Sequence, residues 1–150
     1  MSLSRSFNKE PLKDHRDIEI DAICLAVTTA RLVEKINKNG FRFTVGGPMM
    51  DSAMKAGVHI RKACARYASV GKRVNELKEG RNALDSLIFS VEVALCSGFV
   101  NDEEKATFDI VYDKVSGQLD SFLSSQIAKL KQTENVRQSP DGYASGEFSE

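Results

Sequence analysis

Four stretches of this chain repeat apolar residues at the 3.6-residue period of an α-helix, and only short breaks separate them. In the first, about 17 to 38, Ile18, Ala22, Leu25, Thr29, Leu32, Val33 and Ile36 share one face, and Asn39-Gly40 supplies a stop signal. The second, about 49 to 71, begins after Pro48, which suits a first helical turn because its missing N–H has no partner there anyway. Its stripe of Ala53, Gly57, Ile60, Cys64, Ala68 and Gly71 is mostly small, so a neighbouring helix can come close. Gly71 is read as the end of this run.

The third stretch, about 74 to 97, places Leu77, Leu84, Leu87, Ile88, Val91, Ala94 and Leu95 together, with Gly80 as a point where the helix divides. Gly98 stands where a left-handed C-terminal cap belongs, and Asn101 with Glu104 has the spacing of a capping box for the next helix. That fourth helix, about 102 to 131, aligns Phe108, Val111, Tyr112, Val115, Leu119, Phe122, Leu123 and Leu130. Between the first two helices, Phe41, Phe43 and Val45 alternate without a partner strand and read as an extended loop plugging one end of the core. Four amphipathic helices with short connections predict an all-α, up-down-up-down four-helix bundle over residues 17–131. Residues 1–16 read as a flexible N-terminal arm, and residues 132–150 have the composition of a disordered tail.

With 150 residues, 41% apolar and 28% charged, the chain is one globular domain by size and composition. No apolar run approaches the ~20 residues that a membrane span needs, and the first residues lack the apolar centre of a secretion signal. A soluble cytoplasmic protein is expected. Cys24, Cys64 and Cys96 are odd in number and far apart, which argues against a disulfide framework and for small buried side chains. They do not have zinc-ligand spacing, and neither a metal nor a cofactor is expected.

The formal net charge of zero hides a division: residues 1–30 carry a net −1, residues 31–82 a net +8 and residues 83–150 a net −7. The basic stretch "HIRKACARYASVGKR", residues 59–73, contains no acid. On a continuous helix, Lys55, His59, Lys62, Arg66 and Arg73 fall within about 60° of one another, opposite the small apolar stripe. Arg31, Lys35 and Lys38 add a second row on the first helix. Rows of cations about 6 Å apart suit phosphate contacts, so these residues are the candidate nucleic-acid-binding set. Aromatic residues able to stack on bases are nearly absent, with Tyr67 aside from the row, which predicts backbone contact without sequence readout. The alternative use of the same cations is contact with an acidic protein, or simple solvation.

Nothing in the sequence nominates a catalytic set. His15 lies in the arm and His59 in the basic row, "VGGP" lacks the Lys-Ser/Thr of a phosphate loop, and no Glu-x-x-His pair occurs. Two helices instead carry a second apolar face: Ile20, Ile23, Cys24 and Val27 on the first, and Phe89, Val93 and Cys96 on the third. A helix apolar on two sides is buried on two sides, so Ile20, Ile23, Val27, Phe89 and Val93 are the candidate oligomer interface. The other use of these faces is to lie under the arm or the long loop.

The helix order, together with "SAMKAGVHIRKACARYA", "ALDSLIFSVEVALCSGFVNDEE" and the long final helix, resembles the small four-helix-bundle family of proteins encoded by 23S rRNA intervening sequences and accessory variability determinants of diversity-generating retroelements. The resemblance covers roughly residues 18–127. It implies a ring-like homopentamer with a basic surface that binds nucleic acid and a reverse transcriptase and assists cDNA synthesis, a character carried here by Lys55, Lys62, Arg66 and Arg73. The zero net charge and the acidic last helix depart from that pattern. A non-enzymatic oligomeric bundle binding RNA or RNA/DNA backbone is the leading expectation. A protein-interaction module with an acidic partner is the alternative, and a helical enzyme with its site between subunits ranks third.

Overall fold

A computed structural model of the chain describes residues 16–37 and 42–138. Four helices follow in order: α1 Arg16–Asn37, α2 Gly47–Ala63, α3 Val70–Cys96 and α4 Asp102–Gln138. Among the described residues there is no strand.

Cross-links between helices give their directions. Lys35, near the end of α1, meets Glu104 at the start of α4, whereas Asp21, near the start of α1, accepts from Gln118 well along α4. Arg61 at the end of α2 reaches Glu19 at the start of α1, and His59 reaches Glu76 early in α3. Tyr112 on α4 donates its hydroxyl to the Leu84 carbonyl on α3. Successive helices therefore run antiparallel, and each packs on two neighbours, α1 on α2 and α4, and α3 on α2 and α4. The up-down-up-down order expected from the sequence is the order found.

All the stripe residues of α1 are buried, including Thr29, whose hydroxyl donates to the Leu25 carbonyl one turn back and so satisfies itself in the core. Leu77, Leu84, Leu87 and Val91 of α3 and Phe108, Val115 and Leu119 of α4 complete one continuous core, with Met49, Ala53, Ala56, Ile60 and Ala63 from α2. The small α2 side chains let α3 approach: a Cβ at Gly80 would stand 3.2 Å from Leu119 Cδ1 and 3.7 Å from His59 Cβ. Gly80 is thus a close-packing position in an unbroken helix, and not the division the sequence suggested.

The junction before α4 follows its sequence signals. Gly98 has φ +82°, the left-handed conformation that a side chain would strain. Asn101 and Glu104 form the reciprocal box: the Glu104 N–H donates to Asn101 Oδ1 at 2.8 Å and the Asn101 N–H to Glu104 Oε1 at 2.9 Å.

Three boundaries differ from expectation. The segment read as an extended loop forms a π-helical turn, Arg42–Gly46, leading directly into α2, with Val45 packed on the core. Phe41 and the side chain of Phe43 lie outside what is described. The second helix ends at Ala63 rather than 71, and the third begins at Val70, so Gly71 belongs to the first turn of α3. Ser69 causes this: its extended backbone and its side chain, which accepts from the Lys72 N–H, make it an N-cap. Finally, α4 continues to Gln138, so the tail assigned to 132–150 begins as helix, while residues 139–150, like the arm from 1 to 15, lie outside the described residues.

Candidate functional site

The basic residues that the sequence aligned on one helix are divided among three environments. Lys55, His59 and Lys62 are on α2, Arg66 is on the α2–α3 turn and Arg73 is on α3. Arg73 is buried, and its guanidinium turns back to donate through Nη2 to the carbonyls of Ala65 at 3.2 Å and Arg66 at 3.5 Å. Both carbonyls lie in the turn just past the end of α2, and the Ala65 carbonyl also accepts from the Ala68 N–H at 3.2 Å, so Arg73 braces that turn from α3. Arg73 is therefore removed from the phosphate-facing set.

His59 is half-buried, with Nδ1 2.7 Å from Glu76 Oε1, and Lys72 Nζ lies 3.2 Å from the other carboxylate oxygen. The hydrogen bond from His59, seconded by Lys72, holds the Glu76 carboxyl below the usual range against the opposing effect of burial. Lys55 is exposed and 3.3 Å from Asp51 one turn earlier. Lys35 contacts both oxygens of Glu104, at 2.7 and 2.8 Å, and together with the Asn101 N–H holds that carboxyl below the usual range. Arg31 is exposed on α1, and Lys38 lies outside the described residues.

What remains is a compact corner where α2 ends and α3 begins. Lys62 and Arg66 are exposed and make no ion pair among the described residues. Tyr67 is 87% exposed, and the Arg66 guanidinium carbon lies 5.2 Å from its ring centroid. The sequence hides the prominence of Tyr67 because residues 64–69 continue the helical period; the Ser69 cap was the available signal. The corner offers point charges and an open ring. Among the described residues, no group of three or more His, Cys, Asp or Glu is placed to hold a metal ion.

The second apolar faces lie outside the core of the single chain. Ile20, Ile23 and Val27 on α1 and Phe89 and Val93 on α3 all reach solvent, Phe89 at 67%. Cys24 and Cys96 accompany them at the surface, so only Cys64 is the buried cysteine that the sequence led us to expect of all three. Between α1 and α2 runs an apolar groove of about 400 Å³, walled by Ile23, Val27, Met54 and Val58 over a floor of alanines and Gly57. The two apolar features differ in shape: the α1–α2 face is concave, and the α3 face carries the large Phe89 ring as a ridge. From Asn82 to Cys96, α3 holds Asp85 and Glu92 and no base, while Arg61 lines the groove and Arg31 directly follows its lining residue Ala30.

A polar cleft of about 640 Å³ between α1 and α4 is lined by Lys114, Gln118, Ser121 and Ser125. Its cation and amide already meet Asp21, at 3.5 and 2.9 Å. No described helix is long and apolar enough to cross a membrane.

No family model, curated protein or solved structure matches the chain, so the resemblance to the intervening-sequence and retroelement bundles rests on its sequence features alone.

Proposed function

We propose that this protein is a non-enzymatic assembly factor: copies associate through their second apolar faces, and the assembly presents the corner of Lys62 and Arg66 to the backbone of RNA or an RNA/DNA hybrid. One observation carries the reading. The chain completes its own core and still exposes apolar side chains on two separate faces, an arrangement that a solitary soluble bundle gains nothing from. A ridge fits a groove better than either fits its own copy, so the pairing is head-to-tail, with α3 of one copy in the α1–α2 groove of the next. Head-to-tail contacts close into rings when the rotation allows, in keeping with the ring that the resemblance implies. On the same resemblance the assembly serves a reverse transcriptase as an accessory in cDNA synthesis.

Ultracentrifugation of the full chain tests the assembly. The wild type sediments as an oligomer at micromolar concentration, and Ile23→Glu with Val27→Glu, or Phe89→Glu with Val93→Glu, reduces it to a helical monomer. A monomeric wild type rejects the assembly. Binding of labelled RNA at low salt tests the second half: affinity falls as salt rises and is lost in Lys62→Glu with Arg66→Glu. No RNA affinity at low salt returns the corner to the alternative, contact with an acidic protein.

A further inference from the structure

The corner that ends α2 contains more than cations. From Ser52 to Asn75 the sequence holds six Lys or Arg and no acid, yet four of those six are committed: Lys55 to Asp51, Arg61 to Glu19, Lys72 to Glu76 and Arg73 to backbone carbonyls. Among the described residues the two with neither an ion pair nor such a bond to the backbone, Lys62 and Arg66, are those that flank the end of α2. The turn that follows pushes one aromatic ring almost wholly into solvent, with a guanidinium resting over it.

We propose that the 64–69 turn is a contact for single-stranded nucleic acid, in which the open face of Tyr67 stacks on an unpaired base while Lys62 and Arg66 meet the adjoining phosphates. This rests on the backbone-binding reading above and narrows it from polyanions in general to strands with unpaired bases. The reason is geometric. A lone ring on a convex turn can stack only against a base whose face is open, and in a duplex each base face is covered by its neighbours. A ring already carrying a guanidinium on one face is held as a platform, with the other face free. Every base has a π-face, so the contact tolerates any sequence, and it uses no 2′-hydroxyl, so RNA and DNA strands serve alike.

The chain contains no tryptophan, which makes Tyr67→Trp a single emission reporter on the platform. The full-length variant is titrated at low salt with oligouridylate, oligodeoxythymidylate, a duplex RNA of the same charge and inorganic polyphosphate. Both single strands quench the emission of the introduced indole to a similar extent. Polyphosphate competes for the corner without quenching, and the duplex binds about tenfold more weakly. Tyr67→Ala lowers single-strand affinity by about tenfold with an unchanged dependence of log affinity on log salt, and Tyr67→Phe restores it. Equal single-strand affinity in Tyr67→Ala, or quenching by polyphosphate equal to that by oligouridylate, overturns the stacking contact. If Lys62→Glu with Arg66→Glu abolishes binding while Tyr67→Ala leaves it intact, backbone binding stands and this inference alone fails. No binding of either single strand by the wild-type chain overturns both.

Discussion

Arg73 and Ala65 stand eight residues apart on different elements, yet the Arg73 Nη2 donates to the Ala65 carbonyl at 3.2 Å. That bond, with its neighbour to Arg66, decides what the basic stretch is. It fixes the turn between α2 and α3, hides one cation in the process and leaves Arg66 and Tyr67 facing out. Arg73→Gln should therefore act on stability and not on binding. Removing the guanidinium takes its donor from the Arg66 carbonyl and one of two donors from the Ala65 carbonyl, which keeps the Ala68 N–H, and lowers unfolding free energy by about 1 kcal/mol. The salt slope of RNA affinity stays at the wild-type value, because no phosphate contact is lost. Urea unfolding together with a salt titration on the same variant checks both halves.

Gln126 offers a test of the core. It occupies the next position after Phe122 in the α4 core stripe, is fully buried, and among the described residues neither its Nε2 nor its Oε1 has a hydrogen-bond partner. A buried amide without partners costs about 1–3 kcal/mol relative to an apolar group of the same shape. Gln126→Met keeps the volume and removes the polar atoms. It should raise stability by about 1 kcal/mol or more in thermal or urea unfolding, and a destabilised variant would show that the amide is satisfied by something that the substitution removes.

The glycines separate propensity from packing. Gly117 lies in α4, and a methyl group placed on it would meet nothing within 4 Å, so Gly117→Ala should stabilise by about 0.5–1 kcal/mol through helix propensity alone. At Gly80 the same gain is opposed by the 3.2 Å approach to Leu119 Cδ1, which must shift by a few tenths of an ångström to admit a methyl group. Gly80→Ala should gain less than Gly117→Ala, and Gly80→Leu should lose about 1–3 kcal/mol by overpacking.

The helical architecture was legible because the period of apolar residues is a local property: Leu25, Leu84 and Leu119 announce their burial by spacing, and Gly98 with the Asn101–Glu104 pair announces a junction by residue type. The α2–α3 break reads at Gly71, several residues late, because "ARYAS" contains neither Gly nor Pro and continues the helical period. Its cause is tertiary, the reach of Arg73 back to Ala65, together with the Ser69 cap. The basic row failed for the same reason. A helical wheel assumes one helix, and a two-helix corner redistributes the residues drawn on it. The apolar second faces survived because Ile23, Val27, Phe89 and Val93 each lie well inside a helix whose bounds were nearly right.

Acid sensitivity should concentrate at two carboxylates. Glu76 is held below the usual carboxylate range by the His59 hydrogen bond first and Lys72 second, and Glu104 by Lys35 first and the Asn101 N–H second. A carboxyl depressed in the folded state contributes stability that is fully present above the ordinary carboxylate range and is lost as pH falls through the folded value. The urea midpoint should thus drop as pH is lowered from about 6 to about 3. Glu76→Gln should be less stable than wild type near neutrality and show a shallower acid drop. Glu134→Gln, at an exposed position late in α4, should reproduce the wild-type curve. Identical acid limbs for Glu76→Gln and wild type would dismiss the His59–Glu76 contact as a source of stability.

The cysteines can report how copies meet. Cys24 lies on α1 beside Ile20, Ile23 and Val27, Cys96 lies on α3 three residues after Val93, and both are exposed, while Cys64 is buried and silent. If the α3 ridge of one copy seats in the α1–α2 groove of the next, Cys24 and Cys96 approach across the interface and like cysteines stay apart. If instead each face meets its own copy, Cys24 couples to Cys24 and Cys96 to Cys96, and either single serine variant still gives a covalent dimer. A short thiol cross-linker applied to the assembled chain, followed by peptide mapping, distinguishes the two. The head-to-tail arrangement predicts Cys24–Cys96 peptides and a ladder of covalent species up to a closed ring. It predicts loss of that ladder in Phe89→Glu with Val93→Glu, and in Cys24→Ser or Cys96→Ser alone, since each link needs one cysteine of each kind. Cross-linking that survives in either single serine variant means like-with-like pairing, and the ridge-in-groove contact is then wrong even if the protein is an oligomer.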